Sequence, residues 1–142
     1  MKSILLLFIL ASSSFAMDST FLPDSSYCIF KADQRKFEFE FNNKTEYWTP
    51  DVKDINRIEP VMKVYLAKEG KRVFKKLASY KRQYVGILQG NQRILYINFF
   101  CGDEKDFRKR EIYVMDGGDC YFRIKINLET KKCFDLYING DA

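Results

Sequence analysis

Apolar and polar residues alternate most regularly in the C-terminal stretch Cys120–Ala142. A period of two is typical of a strand with one buried and one solvent-facing side. The alternation runs from Phe122 to Leu128, stops at the polar residues 129–131 and resumes at Phe134, which predicts a β-hairpin. One register places every large apolar residue on the same side of this hairpin. It pairs Ile126 with Phe134, Ile124 with Leu136 and Phe122 with Ile138, and it sets Leu128 opposite Lys132.

A long amphipathic helix is predicted in the first half of the chain. Thr49 and Pro50 suit a helix start as the N-cap and the first helical residue, and Gly70 suits the helix end. Between them the apolar residues recur at helical spacing, which gives the helix one apolar face. These residues are Val52, Ile55, Ile58, Met62, Tyr65 and Leu66.

Further strands are predicted on either side of this helix. Lys36–Phe41 alternates and precedes it, whereas Tyr80–Leu88 and Arg93–Cys101 follow it across a short polar turn. The register of Tyr80–Leu88 stays open because both of its faces carry apolar residues. Residues 112–114 predict another strand, which a Gly-Gly pair interrupts before the C-terminal hairpin. The order predicts an α+β fold in which one long N-terminal helix packs on a curled antiparallel sheet of about five strands, as in the cystatin-like roll.

The N-terminus has the pattern of a secretory signal peptide. Lys2 is followed by the short apolar run Ile4–Ala11, and small residues precede a cleavage position after Ala16. The run is too short to span a bilayer, which takes roughly 20 residues. The sequence therefore predicts a signal peptide at residues 1–16, one domain at residues 17–142 and a periplasmic or secreted location.

Composition excludes several classes of site. The chain contains no histidine, which removes the Ser-His-Asp triad, the Cys-His dyad and every histidine-bearing zinc site. No Cys-x-x-Cys pair is present either, so no metal and no cofactor is predicted. The formal charge of +5 falls to +4 without Lys2, and acidic residues are interspersed, which argues against a dedicated nucleic-acid binder.

The four cysteines are expected to form disulfides in an oxidising compartment. In the predicted register Cys133 lies on the opposite face from Cys120, so these two do not pair. Cys101 and Cys120 both belong to core-facing sets, and this is the pair that we predict. A second bridge between Cys28 and Cys133 and a set of free buried thiols both stay open.

Two groups of side chains are candidates for binding. Residues that alternate away from the predicted core would form a mixed aromatic and basic face of the sheet, of the composition that protein interfaces favour. They are Tyr96, Tyr121, Arg123, Lys125 and Tyr137. Basic clusters at residues 71–76, 81–82 and 108–110 suggest an anionic polymer as ligand, but the interleaved acidic residues favour solvated faces.

Four segments resemble a group of small exported bacterial proteins of uncharacterised function. They are Tyr80–Ile87, Ile97–Cys101, Asp116–Phe122 and Asn139–Ala142. The resemblance covers the chain from about Trp48 onward and implies a bacterial secreted or periplasmic domain without a defined activity. Cystatin inhibitors carry Gln-x-Val-x-Gly in a hairpin loop, whereas Gln83–Gly86 is one residue short and lies in a predicted strand. Papain-type inhibition is therefore not supported.

We interpret the sequence as an exported, non-enzymatic domain that binds a protein or a cell-envelope component, for example as an inhibitor or immunity protein. The alternatives are a small-pocket enzyme with Asp116, Asp119 or Tyr96 as acid or base, and a binder of anionic polymers. A solvent-filled pocket lined by converging carboxylates would favour the enzyme. A filled space between helix and sheet would favour the binding domain.

Overall fold

The fold is described by a computed structural model, which defines residues 24–34 and 40–140. The predicted signal peptide and residues 36–39 of the first predicted strand lie outside this part of the chain. Two helices and six strands are defined, together with short 3₁₀ turns at Asp24–Ser26, Leu77–Ser79 and Gly118–Cys120. The elements are β1 (Tyr27–Ile29), β2 (Tyr47–Trp48), α1 (Val52–Glu69), α2 (Lys71–Phe74), β3 (Lys81–Gln89), β4 (Gln92–Phe100), β5 (Tyr121–Asn127) and β6 (Cys133–Ile138).

The six strands form one open sheet in the order β1-β3-β4-β5-β6, with β2 also paired to β3. The predicted α+β class with one long helix is confirmed. One detail differs, because β1 runs parallel to β3 in a sheet that was predicted to be antiparallel. The described strands β1 and β2 both precede α1, so the N-terminal position of the helix is not confirmed. The short strands β1 and β2 share the free edge of β3, which period-two alternation cannot reveal in segments of two or three residues.

Helix α1 begins two residues later than predicted. Its N-cap is Asp51, whose side chain accepts from the backbone of Asp54 while the Asp54 side chain accepts from the backbone of Asp51. This reciprocal pair satisfies two amide groups that the first helical turn leaves without partners. Thr49, the predicted cap, instead accepts a hydrogen bond from the backbone of Ala32. The predicted end at Gly70 is confirmed.

A first hydrophobic core fills the space between the helices and the sheet. From α1 it takes the residues at helical spacing, and from the strands it takes every second residue. Its fully buried members include Ile55, Ile58, Met62, Leu66, Val73, Tyr84, Leu95, Ile97, Phe99, Phe122, Ile124 and Ile126. This side of the sheet agrees with the face predicted from β4 and β5.

A second core covers the opposite face of the sheet, which the sequence predicted to be open to solvent. The two-residue turn at Gly90-Asn91 pairs Val85 with Tyr96 and Ile87 with Ile94, so both faces of β3 and β4 carry buried side chains. Gly90 has φ of +61°, which glycine adopts without steric cost. Phe100, Phe107 and Ile112 complete this core. The segment between β4 and β5, hereafter the cover loop (residues 101–117), lies over this face.

Three buried side-chain amides hold the cover loop where a further strand was predicted. Residues 111–114 are irregular, so the prediction of a strand there is wrong. Gln83 donates to the carbonyls of Phe107 and Arg110 at 2.6 and 2.7 Å and accepts from the backbone N–H of Ile112 at 3.0 Å. Asn98 donates to the carbonyl of Ile112 and to the Gln83 side chain, and Asn139 donates to the carbonyls of Val114 and Asp116. These bonds replace a strand ladder, because they satisfy the buried backbone of the loop.

The C-terminal hairpin keeps its predicted far end and loses its predicted register near the turn. Phe122 pairs with Ile138 as expected, but Ile126 pairs with Cys133 and Lys125 with Phe134. A β-bulge in β6 restores the expected pairing, and Asp135 adopts a left-handed conformation there with φ of +50°. Phe134 therefore joins the second core, and Cys133 joins the first.

Candidate binding surface

The predicted disulfide between Cys101 and Cys120 is present, with the two Cα atoms 5.0 Å apart. It joins the end of β4 to the 3₁₀ turn before β5, where the backbone N–H of Cys101 also donates to the carbonyl of Cys120. The reason given for the pair was wrong. Cys101 is exposed and Cys120 is half-buried, so neither sulfur belongs to a hydrophobic core. Adjacency of the strand ends, and not a shared buried face, brings the two together.

The other two cysteines are free and buried on opposite sides of the sheet. Cys28 donates a hydrogen bond to the carbonyl of Phe107 at 3.2 Å. Burial raises the pKa of Cys28 to about 12 and that of Cys133 to about 11. Both are therefore neutral thiols at physiological pH and are poor nucleophiles.

Two members of the predicted aromatic and basic face are covered rather than exposed. Tyr96 is 1 % exposed beneath the cover loop, and burial, followed by the charges of Glu40 and Glu111, raises its pKa well above 10. The prediction that Tyr96 faces solvent is therefore wrong. Tyr121 is half-buried and packs under the loop at Gly117, where a Cβ atom would lie 2.7 Å from its ring.

The remaining three members do come together at the surface. Arg123 lies over the ring of Tyr137, with 4.4 Å from the guanidinium carbon to the ring centroid. Its Nε is 3.2 Å from a carboxylate oxygen of Glu40. Lys125 is 3.1 Å from Asp135, and the ring of Tyr137 is 50 % exposed. A guanidinium held over an exposed tyrosine is a rigid element with both apolar and polar groups.

The cover loop adds two exposed side chains to this surface that the sequence did not predict. Tyr113 shares with Arg123 the lining of a small enclosed cavity of about 10 Å³, about the size of one water molecule. Met115 follows it and is 78 % exposed. Hydrophobic periodicity could not predict the exposure of either residue, because the loop has neither helical nor strand spacing. We call Tyr113, Met115, Arg123 and Tyr137 the outer patch.

The candidates for acid–base catalysis do not converge. Asp116 is exposed at the end of the cover loop. Asp119 lies 3.4 Å from Lys76 and 3.9 Å from Arg72, which makes it an ion-pair partner at the surface. Within residues 24–34 and 40–140, no three Cys, Asp or Glu side chains gather in a way that would hold a metal ion.

An open groove of about 500 Å³ beside β1 also brings no described carboxylates together. Its described lining contains no carboxylate, and its one thiol belongs to Cys28, whose pKa is raised to about 12. The lining residues are Tyr27, Cys28, Ile29, Lys31, Gln34 and Arg108.

One buried ion pair crosses the first core. Nη1 of Arg82 lies 2.8 and 3.0 Å from the two carboxylate oxygens of Glu59 on α1, and 3.2 Å from the hydroxyl of Tyr84. The guanidinium also lies over the ring of Phe99 at 5.0 Å. Burial works against its charged form, but Tyr84 and Glu59 more than offset this, so the pKa of Arg82 is raised. The pair fills part of the space between helix and sheet.

Comparisons with known proteins do not identify a family for this chain. A scan against protein-family models finds no match, and searches of the curated proteins and of the solved structures return no similar chain. In the described part of the chain, no helix combines the length and apolar character that crossing a membrane requires.

Proposed function

We propose that this chain is an exported, non-enzymatic domain that binds a protein partner through the outer patch. The observation that carries the proposal is the composition of that patch. Tyr, Arg and Met are the residue types that protein interfaces enrich. Tyr113, Met115 and Tyr137 are exposed, and the partly exposed Arg123 lies over the Tyr137 ring. The other exposed large apolar side chains of the described chain, Val52, Val64 and Phe74, lie on the helical side.

The filled interior supports binding over catalysis. The space between helix and sheet holds a packed core and one ion pair, and the far side of the sheet holds a second core. A small-pocket enzyme needs titratable groups that converge on an open cavity. Asp116, Asp119 and Tyr96 lie at three different places, namely an exposed loop end, a surface ion pair and a buried core.

The disulfide supports a location outside the cytoplasm. Disulfides persist in oxidising compartments and are rare in the cytosol. In this proposal the signal peptide at residues 1–16 is removed near Ala16, and Cys101 and Cys120 then form their bridge. Mass determination of the exported protein tests this, since the mature chain should begin at Met17.

Site-specific photo-crosslinking in the source cells tests the binding proposal. A photoreactive phenylalanine analogue is introduced at Tyr113 or Tyr137, and in a matched control at Val52, which is 40 % exposed, close to the 41 % of Tyr113, and lies on the helical side of the fold. One discrete adduct should form from the two patch positions and not from the control. Substitution of Arg123 by Ala should then reduce that adduct. Equal crosslinking from all three positions, or none from the patch, would contradict the proposal.

Two finer predictions remain part of the proposal. The resemblance to small exported bacterial proteins, and the cystatin-like roll as the wider fold type, both rest on sequence pattern. The open sheet with one long helix agrees with the second at the level of class. The patch geometry does not depend on either.

A further inference from the structure

The positive charge of the chain is concentrated in one helical segment. Residues 63–76 contain six basic side chains and one acidic side chain, a net formal charge of +5 that equals the charge of the whole chain. The remaining residues therefore balance to zero. We call Lys63, Lys68, Lys71, Arg72, Lys75 and Lys76 the basic face.

The fold turns all of these side chains to solvent. Met62 and Leu66 of α1, Val73 of α2 and Leu77 beyond it point into the first core. The members of the basic face lie between these core residues along the chain, and each of them is exposed. Because the opposite side of these helices is fixed to the sheet, the basic face is preformed and needs no folding step on binding.

The described acidic side chains near the basic face are fewer than its basic ones. Asp119 serves both Arg72 and Lys76. Glu69, the one acidic residue of the segment, lies 3.5 Å from Lys68. Glu59 lies 3.7 Å from Lys63 but is already bound to Arg82. Lys71 and Lys75 form no ion pair with any described residue. Surface pairs of this kind are weak, so the face keeps most of its charge.

The other basic clusters of the sequence do not form a comparable face. Lys81 lies 3.3 Å from Asp103, and Arg82 is buried. Lys109 and Arg110 both lie 4.0 Å from Asp106, on the cover loop at the opposite side of the sheet. Within the described chain, residues 63–76 combine dense charge with exposure, on the end of α1, on α2 and on the turn that follows α2.

Exposed apolar side chains lie among the lysines. Val64 is 74 % exposed and Phe74 is 38 % exposed, and both belong to the solvent side of the helices. Lysines surrounding exposed apolar residues on one helix face are typical of helices that lie in the interface of an anionic bilayer. A site for single-stranded nucleic acid would instead present several exposed aromatic side chains for stacking, and the face offers one, Phe74.

We propose that the basic face docks this protein on the surface of an anionic lipid bilayer. The lysines contact the lipid head groups, and Val64 and Phe74 reach the boundary with the acyl chains. The helices lie in the plane of the surface. The proposal is independent of the protein partner, because the outer patch lies on the other side of the sheet.

Vesicle co-sedimentation of the mature chain tests the proposal. The protein should bind vesicles of phosphatidylcholine with about 30 % phosphatidylglycerol, should not bind phosphatidylcholine alone, and should be released as salt is raised. The triple substitution Lys68→Gln/Lys71→Gln/Lys75→Gln should weaken binding on the order of a hundredfold, since each lysine near an anionic surface contributes about fivefold. These side chains are exposed, so thermal unfolding should confirm an intact fold.

A matched control separates the face from net charge. Lys105→Gln/Lys109→Gln/Arg110→Gln removes the same charge from the cover loop and should change binding by less than about twofold. Equal losses in both triple variants, or equal binding to zwitterionic vesicles, would overturn the proposal. Val64→Ser should weaken vesicle binding by about fivefold and leave heparin binding unchanged. Tighter binding to heparin or single-stranded DNA than to vesicles, with the same lysine dependence, would assign the face to an anionic polymer and overturn the lipid assignment.

Discussion

We expect Glu59→Leu to destabilise the fold far more than Arg82→Met, although both substitutions break the same ion pair. The two partners differ in their access to water. The Arg82 side chain is 1 % exposed, whereas Glu59 keeps 16 % of its side-chain surface at the edge of the core. Without Glu59 the guanidinium stays charged and buried. Without Arg82 the carboxylate turns outward and is hydrated.

The structure gives the size of this asymmetry. Removing the partner of a fully buried charge costs about 3–5 kcal/mol. The Tyr84 hydroxyl and the Phe99 ring remain near the guanidinium but carry no compensating charge, because burial raises the pKa of Tyr84 to about 12. Arg82→Met nearly conserves volume and leaves a hydrated carboxylate, so about 1–2 kcal/mol is expected. The double substitution should lie within about 1 kcal/mol of the unchanged protein, since a buried pair and an apolar replacement are often equivalent.

Urea unfolding followed by the fluorescence of Trp48 measures all three variants. Differences in midpoint at constant slope give the changes in the free energy of unfolding. Lys63→Met serves as a control, because Lys63 lies 3.7 Å from Glu59 at the surface and should change stability by less than about 0.5 kcal/mol. If Arg82→Met costs as much as Glu59→Leu, or if the two losses add in the double variant, the unequal burial of the pair does not govern its energetics.

Three further outcomes are expected from other parts of the fold. Gln83→Glu should lower the free energy of unfolding by about 3 kcal/mol, because the new carboxylate would face the two carbonyls that accept from the amide. The fold holds the new carboxyl protonated, so the loss of stability should grow as pH rises above about 4–5. A flat pH profile of stability in urea unfolding would contradict this. Non-reducing peptide mapping of the exported protein should find Cys101 joined to Cys120, and replacing both by Ser should cost about 3 kcal/mol, whereas four free thiols would refute the bridge. Gly86→Ala should lower stability by about 2–3 kcal/mol in thermal melts, because the new Cβ would lie 2.4 Å from a backbone oxygen of the adjacent strand, while Gly140→Ala, which meets nothing, should be neutral within about 0.5 kcal/mol.

The elements that the sequence predicted well are those with long, regular patterns. Helix α1 shows helical spacing over several turns, and β4 and β5 alternate over most of their length. Their buried faces, represented by Met62, Ile97 and Ile124, are the faces found in the first core. Periodicity reports on burial directly, so it succeeds where one face of an element is buried and the other is wet.

The exposure of Tyr96 was mispredicted because β4 is buried on both faces. Alternation between Leu95 and Tyr96 suggested one dry and one wet side, and a tyrosine suits either environment. What covers Tyr96 is a loop held by side-chain amides, and such a loop has no period of its own. The outer patch was therefore only partly predictable, since Tyr113 and Met115 belong to that loop.

The register error in the hairpin has a local cause. The bulge in β6 requires a left-handed residue, and Asp135 takes that conformation although glycine is the residue usually read as a signal for it. Without such a signal the alternation of Phe134 and Leu136 looked continuous. The extra residue in β6 places Phe134 and Cys133 on the faces opposite to those predicted. Cys133 therefore lies in the first core, although the predicted register placed it on the other face of the hairpin.

The side-chain amides of Gln83, Asn98 and Asn139 form their hydrogen bonds to the cover loop with its main-chain atoms. Their bonds go to carbonyls and an N–H of the loop, which every residue type supplies at those points, apart from the need for an N–H at Ile112. The exposed side chain of Met115 takes no part in these bonds. Exposed residues of the cover loop can therefore be exchanged to select a different partner, while the amide contacts and the sheet beneath the loop stay the same.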